Sequence, residues 1–191
     1  MHALALAALP ALALAAPQDA AVEAGSPMTK MAGQGAYTWT QWNGPAFDGV
    51  STENDWRSEG AADSLWEADL GLGYSTVSVS DGRLFSMGYD DEAGQDTVFC
   101  FDALTGKLLW SHSFTATIWD RAHAGGTVNT PSIDGDAVIV LNREGNLFSL
   151  DVATGAVRWH VFLMAMGNRQ ELEYPVWGSV PHPWCWKMAS T

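Results

Sequence analysis

Basic residues are scarce in this chain: nine Lys and Arg stand against 22 Asp and Glu in 191 residues, a formal net charge of −13. Phosphate backbones and anionic lipid surfaces are gripped through Lys and Arg, so nucleic acid is excluded as a partner, and an anionic membrane surface with it. Cysteine is nearly absent. Cys100 and Cys185 make no disulfide framework. Long apolar runs are missing apart from the opening MHALALAALPALALAA, which is too short to span a bilayer but has the length of a signal-peptide core. Ala13 and Ala15 offer an A-x-A cleavage site, although no Lys or Arg precedes the run. Residues 1–16 are therefore expected to be an export signal, with a periplasmic or secreted location; the rival is an amphipathic helix or a misassigned start. No Cys lies near the cleavage site to carry a lipid, and no transmembrane segment is expected beyond the signal. Catalytic signatures are missing as well. There is no G-x-S-x-G and no Walker Lys, and Gly71-Leu72-Gly73 leads into strands rather than a helix. His112, His123 and His160 are spaced too irregularly for zinc.

What is present is a repeat. FDALTGKLLW from Phe101 and LDVATGAVRW from Leu150 align without gaps, Asp102 with Asp151, Thr105 with Thr154, Gly106 with Gly155 and Trp110 with Trp159. Upstream, TVSVSDGRLF from Thr76 matches TPSIDGDAVI from Thr130 at an offset five residues larger. A longer surface loop at Tyr89–Asp96, where the second copy has the short turn Asn142–Asn146, would absorb the surplus. Two sets of four short strands are expected between turn signals: Thr76–Val79, Arg83–Met87, Thr97–Asp102 and Lys107–Ser111, then Val128–Ile133, Ala137–Leu141, Asn146–Asp151 and Ala156–Trp159.

Turn chemistry separates the strands. Asp81-Gly82 and Asp134-Gly135 are tight-hairpin signals, because Gly takes positive φ without a Cβ clash. In D-x-x-T-G the Asp carboxylate can accept from backbone N–H groups two or three residues on, and the Gly closes the loop. Four antiparallel strands per repeat of about 45 to 50 residues describe a β-propeller blade. The fold class is thus all-β, a partial propeller of two full blades. Trp110 and Trp159 are expected to end the outermost strands and to pack on the neighbouring blade, and Trp66, in LWEADLG, is expected to mark an orphan outer strand of a third. The repeated residues are first of all structural. The acidic tip Asp90-Asp91-Glu92 reads as a solvated hairpin turn, with calcium binding as its rival. Asp120-Arg121 beside Trp119 reads as a local surface ion pair, with a channel-facing pair as its rival.

The pattern A-x-D-x-x-T-G-K-x-x-W resembles the tryptophan-docking motif of pyrroloquinoline quinone (PQQ) type propeller repeats. Cys100 takes the small first place in one copy, followed by Asp102, Thr105, Gly106, Lys107 and Trp110; Ser149 takes it in the other, where Ala156 replaces the Lys. The resemblance covers residues 39–178. It extends to quinoprotein alcohol dehydrogenases and to the propeller lipoprotein that helps assemble outer-membrane barrels, and it implies fold more than function. In the dehydrogenases it implies PQQ in the channel, stacked over a Trp beneath a disulfide between adjacent cysteines, with Ca²⁺ held by Glu and Asn and an Asp as base. This chain has no adjacent cysteines, and no spacing singles out a carboxylate, so no catalytic, cofactor or metal residue is carried over. The expected function is a non-catalytic scaffold or binding protein of the cell envelope, present as a truncated fragment. The alternative is a PQQ-dependent oxidoreductase, alcohol dehydrogenase-like, whose active-site blades are missing; PQQ with calcium belongs only to such a full-length protein. Its ligand or protein partner is not named by the sequence.

Around the blades, residues 17–36 read as a flexible linker and 37–64 as an extended N-terminal segment, with the partial propeller over 65–178. Residues 179–191 abandon strand period. Regrouping the codons of the tail from Pro181 by one frame permits T-P-L-V-L-E-D-G, a blade opening like TPSIDG, so a frameshift after Gly178 is expected. The rival is a genuine aromatic tail using Trp184 and Trp186. On the frameshift reading Cys185 has no role and Cys100 stays unpaired, and the exposed apolar blade faces favour aggregation or assembly.

Overall fold

The computed structural model describes residues 38–53, 64–120 and 124–163. The expected export signal at 1–16, the expected linker at 17–36, the tail and Cys185 all lie outside them, as do His123 and Arg121. Two four-stranded antiparallel sheets follow one another along the chain. The first holds β1 (Ser78–Ser80), β2 (Arg83–Asp90), β3 (Gln95–Asp102) and β4 (Leu108–Thr115) in sequence order. The second repeats the order with β5 (Ser132–Asp134), β6 (Ala137–Leu141), β7 (Asn146–Asp151) and β8 (Val157–Phe162). This is the meander of a propeller blade, formed twice.

The core lies between the sheets. Phe85, Met87, Val98, Cys100 and Trp110 of the first pack with Val138, Val140, Phe148 and Leu150 of the second. The middle strands β2, β3, β6 and β7 are buried along most of their length, whereas β4 and β8 are largely exposed. Burial on both faces explains why the middle strands read as apolar runs instead of clean alternation.

Both hairpin signals form turns, of different types. Ser80 pairs with Arg83 around Asp81 and Gly82, which stand at φ 49° and 72°, the two positive values of a type I′ turn. Asp134 itself ends β5 and pairs with Ala137, so the central residues of the second turn are Gly135 and Asp136, with positive φ at Gly135 (57°). The five surplus residues of the first repeat are not in a longer loop. Four residues, 91–94 and 142–145, turn each central hairpin, and the surplus lengthens β2 and β3 relative to β6 and β7. Strands absorb it because Gly88 pairs with Thr97, Tyr89 with Asp96 and Asp90 with Gln95, three rungs that the second sheet lacks.

The inner strands are shorter than the sequence suggests, because the residues before them bond between sheets. Thr76 and Thr130, the matching residues of the two repeats, meet with their Oγ1 atoms 3.0 Å apart, and Thr76 N donates to Thr130 Oγ1 at 3.3 Å. Ser78 Oγ likewise donates to the Pro131 carbonyl. Equivalent positions thus face each other, as expected of neighbouring units around an axis. The outer strands β4 and β8 run longer than expected, to Thr115 and Phe162. Trp110 and Trp159 therefore sit near their starts instead of their ends.

Of the expected N-terminal segment, residues 38–53 and 64 are described, and the stretch at residues 38–40 bridges the two sheets. Trp39 exchanges both backbone hydrogen bonds with Val79 at 2.8 Å, and Ile133 N donates to Thr40 O at 2.8 Å, so one short stretch straps the inner strands of both sheets. From Gln41 the chain turns back on itself. Gly44 lies so close beneath the Trp39 indole that a Cβ there would stand 2.7 Å from the ring, and its φ of 74° suits glycine.

Candidate functional site

The repeated phrase builds a socket. Asp102 Oδ1 accepts from Leu104 N at 3.1 Å, Thr105 N at 2.8 Å and Thr105 Oγ1 at 2.8 Å. Asp151 Oδ1 accepts from Ala153 N, Thr154 N and Thr154 Oγ1 at 3.0, 3.0 and 2.9 Å. Gly106 and Gly155 then turn the chain at φ 68° and 70° and return their N–H groups to the Asp carbonyls. These bonds favour the ionised carboxylates. The Thr105 hydroxyl foremost lowers the pKa of Asp102, and Arg158 foremost, with Thr154, holds Asp151 at about 2. Arg158 spans Asp136 and Asp151 at 2.7 and 2.6 Å.

An indole from the preceding repeat lies on each loop. Trp66 Nε1 donates to Ala103 O at 3.1 Å, and a Cβ on Gly106 would stand 2.6 Å from the Trp66 ring. Trp110 Nε1 donates to Val152 O at 3.0 Å, and a Cβ on Gly155 would stand 2.5 Å from its ring. Glycine is needed there twice over, for the φ and for the approach. The stretch around Trp66 is not a strand among the described residues, having no ladder partner beside it, yet its indole is placed as Trp110 is. Trp159 has no such loop beneath it among the described residues and is 39% exposed, with Val157 and Phe162 exposed beside it.

A bulge aims each Trp, and the sequence did not announce it. Cys100 pairs with Trp110 and Phe101 with Leu108, so Leu109 is the extra residue; Ser149 pairs with Trp159 and Leu150 with Val157, so Arg158 is. The sole signal was the constant four-residue spacing from Gly to Trp.

Other candidates are ordinary. Asp90 Oδ1 caps its own turn by accepting from Glu92 N and Ala93 N at 3.0 and 2.9 Å, and the acidic tip is exposed. His112 and His160 both pack on Phe148, His160 at a ring-centroid distance of 4.2 Å. Arg143 lies 4.5 Å over the Trp119 ring. Among the described residues Cys100 is a free, fully buried residue of β3, and no three His, Cys, Asp or Glu converge for a metal. No helix among the described residues is long and apolar enough to cross a membrane.

A second polar locus lies between the sheets, where Tyr89, Asp96, Asn142 and Glu144 line a small cavity. Desolvation first, then repulsion from Glu144, pushes Asp96 up to about 7. Sequence reasoning missed it, because Asp96 and Glu144 are distant in the chain and nothing in either neighbourhood is a motif.

Among solved structures, similarity is seen to a europium-containing methanol dehydrogenase (22% identity, TM-score 0.34, covering 46% of this chain and 15% of that one). BamB from Moraxella catarrhalis gives 21% identity and TM-score 0.28, with 44% of this chain and 31% of that chain covered. Quinohemoprotein alcohol dehydrogenase from Comamonas testosteroni gives 20% and 0.36, with 49% and 13% covered. The chain thus spans under a third of the length of each. Comparison with curated proteins gives no match. The family model described as outer membrane protein assembly factor BamB matches residues 57–171, more than half of the chain. With the repeated blades, this match places the chain in the PQQ-type repeat β-propeller family to which that assembly factor belongs.

Proposed function

We propose that this chain is part of a non-catalytic propeller scaffold of the cell envelope, in which each Trp is a blade-to-blade dock and the surface, not a channel cofactor, does the binding. The observation that carries this reading is the pair of equivalent docks, Trp66 on the Asp102–Gly106 loop and Trp110 on the Asp151–Gly155 loop, with Trp159 presented in the same register for a further D-x-x-T-G loop. Residues 65–178 then form the blade region, 1–16 an export signal, and further blades complete the ring. The description of the matching family, an outer membrane protein assembly factor, supports an envelope location and a protein partner over a small substrate. The polar residues of the D-x-x-T-G loops are engaged in holding their own loops, which supports a structural role for them.

The test is reconstitution of the full-length protein with PQQ and Ca²⁺, followed by cofactor absorbance and dye-linked alcohol oxidation. No saturable binding and no turnover are expected. Saturable cofactor binding with turnover would overturn the scaffold reading in favour of an oxidoreductase.

A further inference from the structure

Between the two sheets, beside the central hairpin turns, lies a cavity of about 10 Å³, room for about one water molecule. Tyr89 of β2, Asp96 of β3 and Thr117 beyond β4 wall it on one side; Asn142 and Glu144 of the β6–β7 turn wall it on the other. Asp96 is 6% exposed and takes part in neither ion pair formed among the described residues. Glu144 is held across the junction, its Oε1 accepting from Thr117 N at 2.8 Å. Asn142 is 2% exposed and accepts the Asn146 N–H at 2.8 Å through Oδ1. That bond fixes the amide, so Nδ2 is the atom left for the cavity, and it makes no hydrogen bond of ordinary geometry. A donor aimed inward disfavours a metal cation and suits a carboxyl group or a water.

We propose that this junction is a proton-linked lock between the two sheets: Asp96 holds a proton that it donates across the cavity toward Glu144, and release of that proton to solvent sets two carboxylates of neighbouring sheets against each other and loosens the junction. Burial and then Glu144 raise the Asp96 pKa from 3.8 to about 7, while the Asn142 amide, near enough to favour the ionised carboxylate although outside ordinary hydrogen-bond geometry, acts the other way. The other groups facing this locus are Tyr89, whose hydroxyl is pushed up by burial and then by Asp91, Asp96 and Glu144, and Arg143, which lies over Trp119. From β4, Phe114 stands opposite Asp96 and brings no charge; His112, two residues earlier, is pushed down by burial. A carboxyl whose folded pKa is raised stabilises the fold fully below its unfolded value of 3.8, and that stability is lost as pH rises through about 7. His112 acts in the opposite sense, its contribution being present above its ordinary value and lost as pH falls.

The experiment compares denaturant unfolding of the full-length chain at pH 5 and pH 8 for the native sequence, Asp96→Asn and Glu144→Gln. If the whole shift acts on folding, the unfolding equilibrium constant of the native chain rises about 90-fold between the two. Asp96→Asn, which mimics the protonated side chain, is expected to remove at least about tenfold of that rise. Glu144→Gln is expected to move the transition to lower pH. Carboxyl ¹³C NMR of the native chain reads Asp96 directly and stands even where a variant fails to fold, with a midpoint near 7 expected. An Asp96 midpoint near 4, or an undiminished pH dependence in a folded Asp96→Asn variant, would overturn the proposal.

Discussion

Replacing Trp110 with Ala should cost far more than replacing Trp119, although both are tryptophans of the same sheet and its outgoing loop. Trp110 is 8% exposed, lies 5.9 Å from Phe85 between ring centroids, and donates to Val152 O. Removing a buried indole costs about 3–5 kcal/mol, and stranding the Val152 carbonyl adds about 1 kcal/mol. Trp119 is half-buried in the loop after β4, where its described ring contact is the Arg143 guanidinium. Losing that contact costs about 0.5–1 kcal/mol, and the half-buried ring gives up less apolar area than the buried Trp110 does. The two variants should therefore differ by about 2 kcal/mol, which at a urea slope of about 1–3 kcal/mol/M separates their midpoints by roughly 0.7–2 M. Far-UV circular dichroism is the suitable readout, since each variant loses a fluorophore. Coincident midpoints for two folded variants would refute the assignment of Trp110 as the residue that joins the sheets.

Gly155→Ala should destabilise more than Gly82→Ala by about 1 kcal/mol or more, because both need positive φ but only Gly155 has an indole 2.5 Å from the new methyl; thermal unfolding of the two checks this. Asp151, with its carboxyl held at about 2, and Asp102, also lowered, contribute stability above about 3.8 that is lost as pH falls toward 2. Acid unfolding of Asp151→Asn should accordingly show a smaller loss over that range than the native chain does. The Cys100 thiol, pushed up to about 12 by burial, should resist maleimide in a Cys185→Ser background until the chain is denatured, and labelling at the rate of a free thiol would contradict its place in the core.

Much of the fold was legible because its signals are local. Asp81-Gly82 and the D-x-x-T-G loops specify turns through the few residues that make them, and β6 and β7 fell at their expected bounds, Ala137–Leu141 and Asn146–Asp151. The misplaced features depend on what the chain meets in space. Thr76 and Thr130 look like strand residues, but their hydroxyls bind each other across the sheets, and β1 and β5 begin later. The bulges at Leu109 and Arg158 leave no mark in a hydrophobic pattern. The Trp positions were readable from the repeat, whereas the loops they cover, one repeat further on, emerge only in three dimensions. Asp96 and Glu144 are brought together by the stacking of the sheets alone.

The most direct test of the account is a double-mutant cycle between Trp110→Ala and Gly155→Ala, measured as unfolding free energies of the full-length chain. If the indole rests on the glycine, the methyl of Gly155→Ala clashes only while the indole is present, and the double variant should be less destabilised than the sum of the singles by about 1 kcal/mol or more. Additivity within about 0.5 kcal/mol would mean that the two residues do not touch, and the blade-to-blade dock would not exist as described.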